Sequence, residues 1–223
     1  MPEEPQATMT IEVIGEGRAD VGKPGETMLP AKGVVPILLH KLCGKPAAMR
    51  IKPKRFAQLQ AGKTLSRKVQ FAKRQARYTA STDALVFVVD SEGDHKEFDR
   101  KAGELRKGRD AEPSDFPTAV GVAQPCMEAW LLADAPAIRR GMCLERTPDV
   151  PNTPEDLPAP RKGKKNPKDV LAKLVRSKHR ECSSDDKNKI ARTMNDMELV
   201  RERCPLSFAP FADEVNQHIR PLF

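Results

Sequence analysis

The six residues Ala84 to Val89, ALVFVV, restrict the fold more than any other part of the chain. An unbroken apolar run of that length offers no face to water. As a strand it needs cover on both sides, which is the situation of a central strand in a parallel sheet. It runs directly into Asp90-Ser91-Glu92-Gly93-Asp94. A second β-rich segment, Thr10 to Gly15, carries Ile11, Val13 and Ile14 and ends in the same manner, at Gly15-Glu16-Gly17. Thr118 to Ala123 reads as a further strand and Ala48 to Ile51 as a short one.

Helical patterns fall between these strands. Gly33 to Leu42 is apolar, with Pro36 near its start and Gly44 placed as a C-terminal cap. Over Thr64 to Thr79, Leu65, Val69, Ala72 and Ala76 recur at helical spacing. A polar helix is expected at about 95 to 107, and another over PCMEAWLLAD, Pro125 to Asp134. Alternation of this kind predicts an α/β domain with about four strands, mostly parallel, flanked by helices.

A composition change divides the chain. Residues 1–144 hold the α/β pattern. Residues 145–167 form a Pro-rich basic loop or linker, and residues 168–223 a helical C-terminal extension that packs on the same domain. Helices are expected there at about 168 to 178, 184 to 203 and 210 to 219, with Ser183 and Ser184 ahead of Asp185 and Asp186 as a helix start. Hydrophobic residues are 39% of the chain and aromatics 4%, so the core is built from aliphatic side chains. Trp130, beside Leu131 and Leu132, reads as core, and Asp134 as a helix cap.

The formal net charge is +8, which favours a polyanionic partner such as nucleic acid, because lysine and arginine displace counterions from phosphates. Two basic regions are candidates for that contact. One is the 64–79 helix, where Arg67 and Arg74 stand with Lys63, Lys68, Lys73 and Arg77 around the apolar stripe. The other is the loop carrying Arg161, Lys162, Lys164, Lys165 and Lys168. The five cysteines form no CxxC pair and their number is odd, so reduced thiols in a cytoplasmic protein are expected. No apolar stretch is long enough for a membrane span.

The carboxylates carry the chemistry. Ligands of open α/β sheets bind outside the carboxyl ends of the strands. Glu16 follows the first strand; Asp90, Glu92 and Asp94 follow the central one. If the two strands are neighbours the acids converge, and like charges at short range raise one another's pKa. A divalent cation relieves that repulsion. Magnesium needs only two or three carboxylates because it keeps several waters. Glu128, on the PCMEAWLLAD helix, is a candidate for a further metal position, in competition with a packing role. His95 and Asp20 read as ordinary polar residues, Asp20 orienting the loop after Glu16.

These residues resemble a known family. Glu16-Gly17-Arg18-Ala19-Asp20 is similar to the EGxxD motif of the Toprim fold, and Asp90-Ser91-Glu92 to its DxD motif with Glu in the second acidic place. PCMEAWLLAD, NPKD and the late RCPLSF segment resemble the Toprim-like family called domain of unknown function 4276. The resemblance runs from about 9 to 215. It implies that Glu16, Asp90 and Glu92 are catalytic and bind Mg2+ or Mn2+, that phosphodiester bonds of DNA or RNA are the substrate, and that an ATPase subunit and antiphage defence are the context. Glu92 departs from the usual Asp. The only tyrosine is Tyr78, and no nucleotide-handling domain is visible, which leaves hydrolysis rather than strand passage or priming. Two alternatives stand beside it: a phosphatase of the haloacid dehalogenase type, with Asp90 as nucleophile and no need of Glu16, and a non-catalytic subunit binding nucleic acid or an ATPase. Self-association stays open.

Overall fold

The computed structural model describes residues 8–22, 32–44, 48–80, 82–160, 165–175 and 182–223. Four strands form one sheet: β1 (Met9–Gly15), β2 (Met49–Arg55), β3 (Ala84–Asp90) and β4 (Thr118–Ala123). Their order is β2-β1-β3-β4 and every pairing is parallel. The expected α/β architecture, a parallel sheet flanked by helices with a helical C-terminal part, is therefore the observed one, and it agrees with a Toprim-like fold.

The alternation of β3 explains why ALVFVV had to be central. Ala84, Val86 and Val88 face one layer, with Trp130, Phe208 and Phe211; Leu85, Phe87 and Val89 face the other, with Val69, Ala72, Phe98 and Leu105. None of the six is more than 2% exposed. Helices α3 (Leu65–Thr79) and α4 (His95–Asp110) cover the second face. The first face is covered by α2 (Val34–Cys43), α5 (Met127–Leu132), α6 (Ala135–Gly141), α8 (Ser184–Thr193) and α10 (Phe208–His218). Short α1 (Arg18–Val21), α7 (Pro167–Leu174) and α9 (Met197–Arg203) complete the set among the described residues.

Three elements differ from expectation. Strand β2 continues through Pro53 to Arg55, which the sheet tolerates because β2 lies at an edge, where proline's missing N–H goes unused. The helix expected over Pro125–Asp134 ends at Leu132, and Asp134 starts a new helix, α6, by accepting the Ala137 N–H at 2.8 Å. The helix expected over 184–203 breaks in two, since Asp196 caps α9 through the Leu199 N–H at 2.9 Å. Gly44 and Ser183 cap as expected. The loop at 22–33 lies, apart from residues 22, 32 and 33, outside the described residues.

The C-terminal helices share the core of the sheet rather than a core of their own. Trp130 stacks on Phe211 at 5.3 Å and meets Phe208 edge-on at 5.2 Å, and its indole N–H donates to Ser207 Oγ at 2.6 Å. Ser207 in turn bonds to buried Glu155, from the Pro-rich segment, and Glu155 also accepts the Leu206 and Ser207 N–H groups at 2.8 Å each. Phe211 also packs over Gly121 of β4, where an added Cβ would lie 2.6 Å from its ring. Gly121→Ala should therefore lower stability by about 1–3 kcal/mol, the usual penalty of overpacking. Chemical denaturation measures it; a variant as stable as the parent would mean that the Phe211 ring moves aside freely.

Candidate active site

Strands β1 and β3 are adjacent and parallel, so their carboxyl ends open on the same edge of the sheet. Glu16 leaves β1 there and Asp90 ends β3. The chain then returns tightly. Gly15 leaves no room for a side chain, since a Cβ would come within 2.6 Å of Val21, and this lets α1 fold back against β1. Asp20, on α1, accepts the Gly17 N–H at 3.0 Å, which closes the turn beside Glu16.

Asp90 is held on both sides. Its side chain accepts the Met127 N–H, at the start of α5, at 2.9 Å, and its carbonyl accepts from Lys101 Nζ at 2.6 Å. The turn that follows is pinned to the exit of β4, with the Ser91 N–H on the Ala123 carbonyl at 2.8 Å and the Glu92 N–H on the Pro125 carbonyl at 2.9 Å. Ser91 Oγ bonds to Gln124 Oε1. Glu92 takes a left-handed backbone conformation, φ 51°, which costs a non-glycine residue about 1–3 kcal/mol and is characteristic of functional sites. Asp94 caps α4 by accepting the Glu97 N–H at 3.3 Å and is exposed.

Burial and neighbouring charge both act on the acids. Burial, then the charges of Asp20, Glu128 and Glu16, push the Asp90 carboxyl well above the usual range. Burial, then Glu128, raises Asp20. Glu16 is raised by desolvation of its carboxyl, against the pull of Lys101, with Glu92 and Asp20 adding to the rise. Glu128 is only 2% exposed. Burial raises its pKa, but an ion pair with Lys187 outweighs this and leaves it below the ordinary value. Lys187 comes from α8, and Lys168 of α7 supplies a second positive charge felt by Glu16, Asp20, Asp90 and Glu128.

Glu16, Asp90, Glu92 and Glu128 thus belong to one electrostatic neighbourhood, while Asp94 serves the start of α4. Asp20, Lys101, Lys168 and Lys187 are members that sequence reasoning did not assign to the site. Of these, Asp20 had a local signal in the EGxxD stretch and Lys168 in the NPKD motif and the basic cluster; Lys101 and Lys187 had none. Among the described residues, no three His, Cys, Asp or Glu side chains already stand as a metal-holding set. The donor chemistry nevertheless suits a hard cation: the acids crowd together, and Glu128 Oε2 is buried without a hydrogen-bond partner. Arg67 and Arg74 are exposed on α3, and Lys165 is exposed ahead of α7; Arg161, Lys162 and Lys164 lie outside the described residues.

The model of a family described as a domain of unknown function, DUF4276, matches residues 26–216. The chain belongs to that family. The matched span of this DUF4276 protein takes in Asp90, Glu92, Asp94, Glu128, Lys168 and Lys187, and begins after Glu16 and Asp20. Comparison with curated proteins and with solved structures gave no match. No helix among the described residues is long and apolar enough to cross a membrane.

Proposed function

We propose that this DUF4276 protein is a metal-dependent phosphodiesterase acting on DNA or RNA. The observation that carries the reading is the convergence of Glu16 and Asp90, which leave the carboxyl ends of adjacent parallel strands, with Asp20 of α1 and Glu128 of α5, whose charges all oppose ionisation of Asp90. Glu16, Asp90 and Glu92 would hold Mg2+ or Mn2+, with Glu128 on the inner side of the site. A bound metal of this kind polarises a phosphoryl oxygen and lowers the pKa of the attacking water. The Met127 N–H and the Lys101 contact keep Asp90 in place during turnover. Lys168 and Lys187 limit the repulsion among the acids, Lys187 through its ion pair with Glu128. Hydrolysis adds water across one P–O bond, leaving a phosphomonoester and a free hydroxyl.

From the Toprim-like resemblance come the rest of the proposal: an ATPase partner, a place in antiphage defence and a cytoplasmic setting. A phosphatase with an Asp90 nucleophile fits less well, because it has no use for Glu16, which leaves the strand next to that of Asp90 and adds its charge to the same group of acids. Glu16→Gln separates the two. In a nuclease it should lower cleavage of plasmid, single-stranded DNA or RNA on the order of a hundredfold. Unchanged turnover of a phosphomonoester in that variant would favour the phosphatase. Intact nucleic acids with wild-type protein, Mg2+ or Mn2+ and the ATPase would leave a binding subunit.

A further inference from the structure

Helix α3, LSRKVQFAKRQARYT, carries five cations and no acid. The fold uses three of them internally. Lys73 is fully buried and donates to the carbonyls of Arg109 and Ala111, the latter at 2.6 Å, where α4 ends. Lys68 Nζ stands 5.7 Å over the Phe56 ring. Arg77 pairs with Asp115 at 2.8 Å. Arg67 and Arg74 remain, both exposed and with no ion pair among the described residues.

Those two arginines share a face with two rings. Arg67, Phe71, Arg74 and Tyr78 follow one another at helical spacings of four, three and four, so all four project from one side of α3. Phe71 is 39% and Tyr78 92% exposed, and they are the exposed large hydrophobic side chains among the described residues. An isolated exposed ring needs no explanation. Two rings interleaved with two guanidinium groups, on a helix without a single acid, form a surface complementary to a polyanion whose flat faces are accessible. Nucleic acid offers such faces only where its bases are unpaired, since in a duplex they are stacked on one another.

We propose that this face of α3 binds single-stranded nucleic acid, with bases stacking on Phe71 and Tyr78 and phosphates held by Arg67 and Arg74. The proposal rests on nucleic acid being the substrate and specifies its form; it does not require cleavage.

Fluorescence anisotropy in chelator, with a labelled oligothymidylate of roughly 20 nucleotides, tests it, since sites of this type span about 4–16 nucleotides. A hairpin duplex of equal length serves as the comparison. Phe71→Ala/Tyr78→Ala should weaken single-strand binding about 10- to 100-fold and leave duplex binding nearly unchanged. Arg67→Gln/Arg74→Gln should flatten the salt dependence by about 0.7 for each phosphate that is no longer neutralised. Circular dichroism confirms that these surface variants fold. Unaltered single-strand affinity in the ring variant, or equal weakening on duplex, overturns the proposal while leaving the phosphodiesterase reading intact. A wild-type protein that binds neither probe overturns both. If the ring variant instead converts a dimer to a monomer in light scattering, the face belongs to a second copy of the chain and the proposal is wrong.

Discussion

Replacing Asp90 by Asn is expected to abolish Mg2+ binding and cleavage while making the metal-free protein more stable. The loss of activity should reach the order of 10²–10³ or more, as for removal of a group that acts on the transition state. The gain in stability follows from the raised pKa of Asp90, caused by burial and by Asp20, Glu128 and Glu16, against the opposing charge of Lys168. An acid whose pKa is higher in the folded than in the unfolded chain binds its proton more tightly when folded. Stability therefore falls as pH rises from the unfolded value toward the folded one, and the penalty is complete above the folded value. Asparagine removes the penalty and still accepts the Met127 N–H. In chelator at neutral pH the variant should melt above wild type, and the gap should narrow as pH falls toward about 4 and close below it, where the carboxyl is protonated in both states. Millimolar Mg2+ should raise the melting temperature of wild type and not of the variant. A gap that does not vary with pH would mean that Asp90 is not crowded by acids, and unchanged Mg2+ affinity by calorimetry would remove it from the metal site.

Lys187→Met should be among the most destabilising single changes in the molecule. The side chains of Lys187 and Glu128 are 11% and 3% exposed, so the pair is buried. Removing the cation leaves a buried carboxylate beside Asp20 and Asp90 with its ion-pair partner gone and only the charge of Lys168 to offset it, a loss of about 3–5 kcal/mol for a broken buried pair. The double variant Lys187→Met/Glu128→Gln should recover most of it, because the stranded charge goes too. Urea denaturation of the wild type, both single variants and the double variant gives the coupling directly. A loss under about 1 kcal/mol for Lys187→Met, the scale of an exposed pair, would show that water reaches Glu128.

The features readable in the sequence were those set by local periodicity. ALVFVV announced a doubly covered strand because each of its six side chains had to find apolar company, and Ile11, Val13 and Ile14 marked its neighbour. That Glu16 and Asp90 leave adjacent strands follows from the order β2-β1-β3-β4, which no local pattern encodes. The end of α5 was obscured because Leu131, Leu132, Ala133 and Ala135 keep an apolar run going across the break, and only the Asp134 cap interrupts the backbone. Asn195-Asp196 did carry a cap signal for α9 within the apparent 184–203 helix. Lys73 reads as one more cation on a solvated face, but its burial depends on the carbonyls at the end of α4, which pack there only in the folded chain. Lys168 and Lys187 joined the acid cluster for the same reason, since their partners are set by tertiary packing rather than by spacing.

The pairing of α8 with α5 also has a consequence in time. A polypeptide leaves the ribosome from its N-terminus, so Glu16, Asp20, Asp90 and Glu128 emerge before Lys168 and Lys187 are made. Until then the acids have neither of the cations that later offset their repulsion. The centre is thus assembled late in synthesis, and a nascent chain broken off before residue 187 keeps its carboxylates without the lysine that holds Glu128 in place.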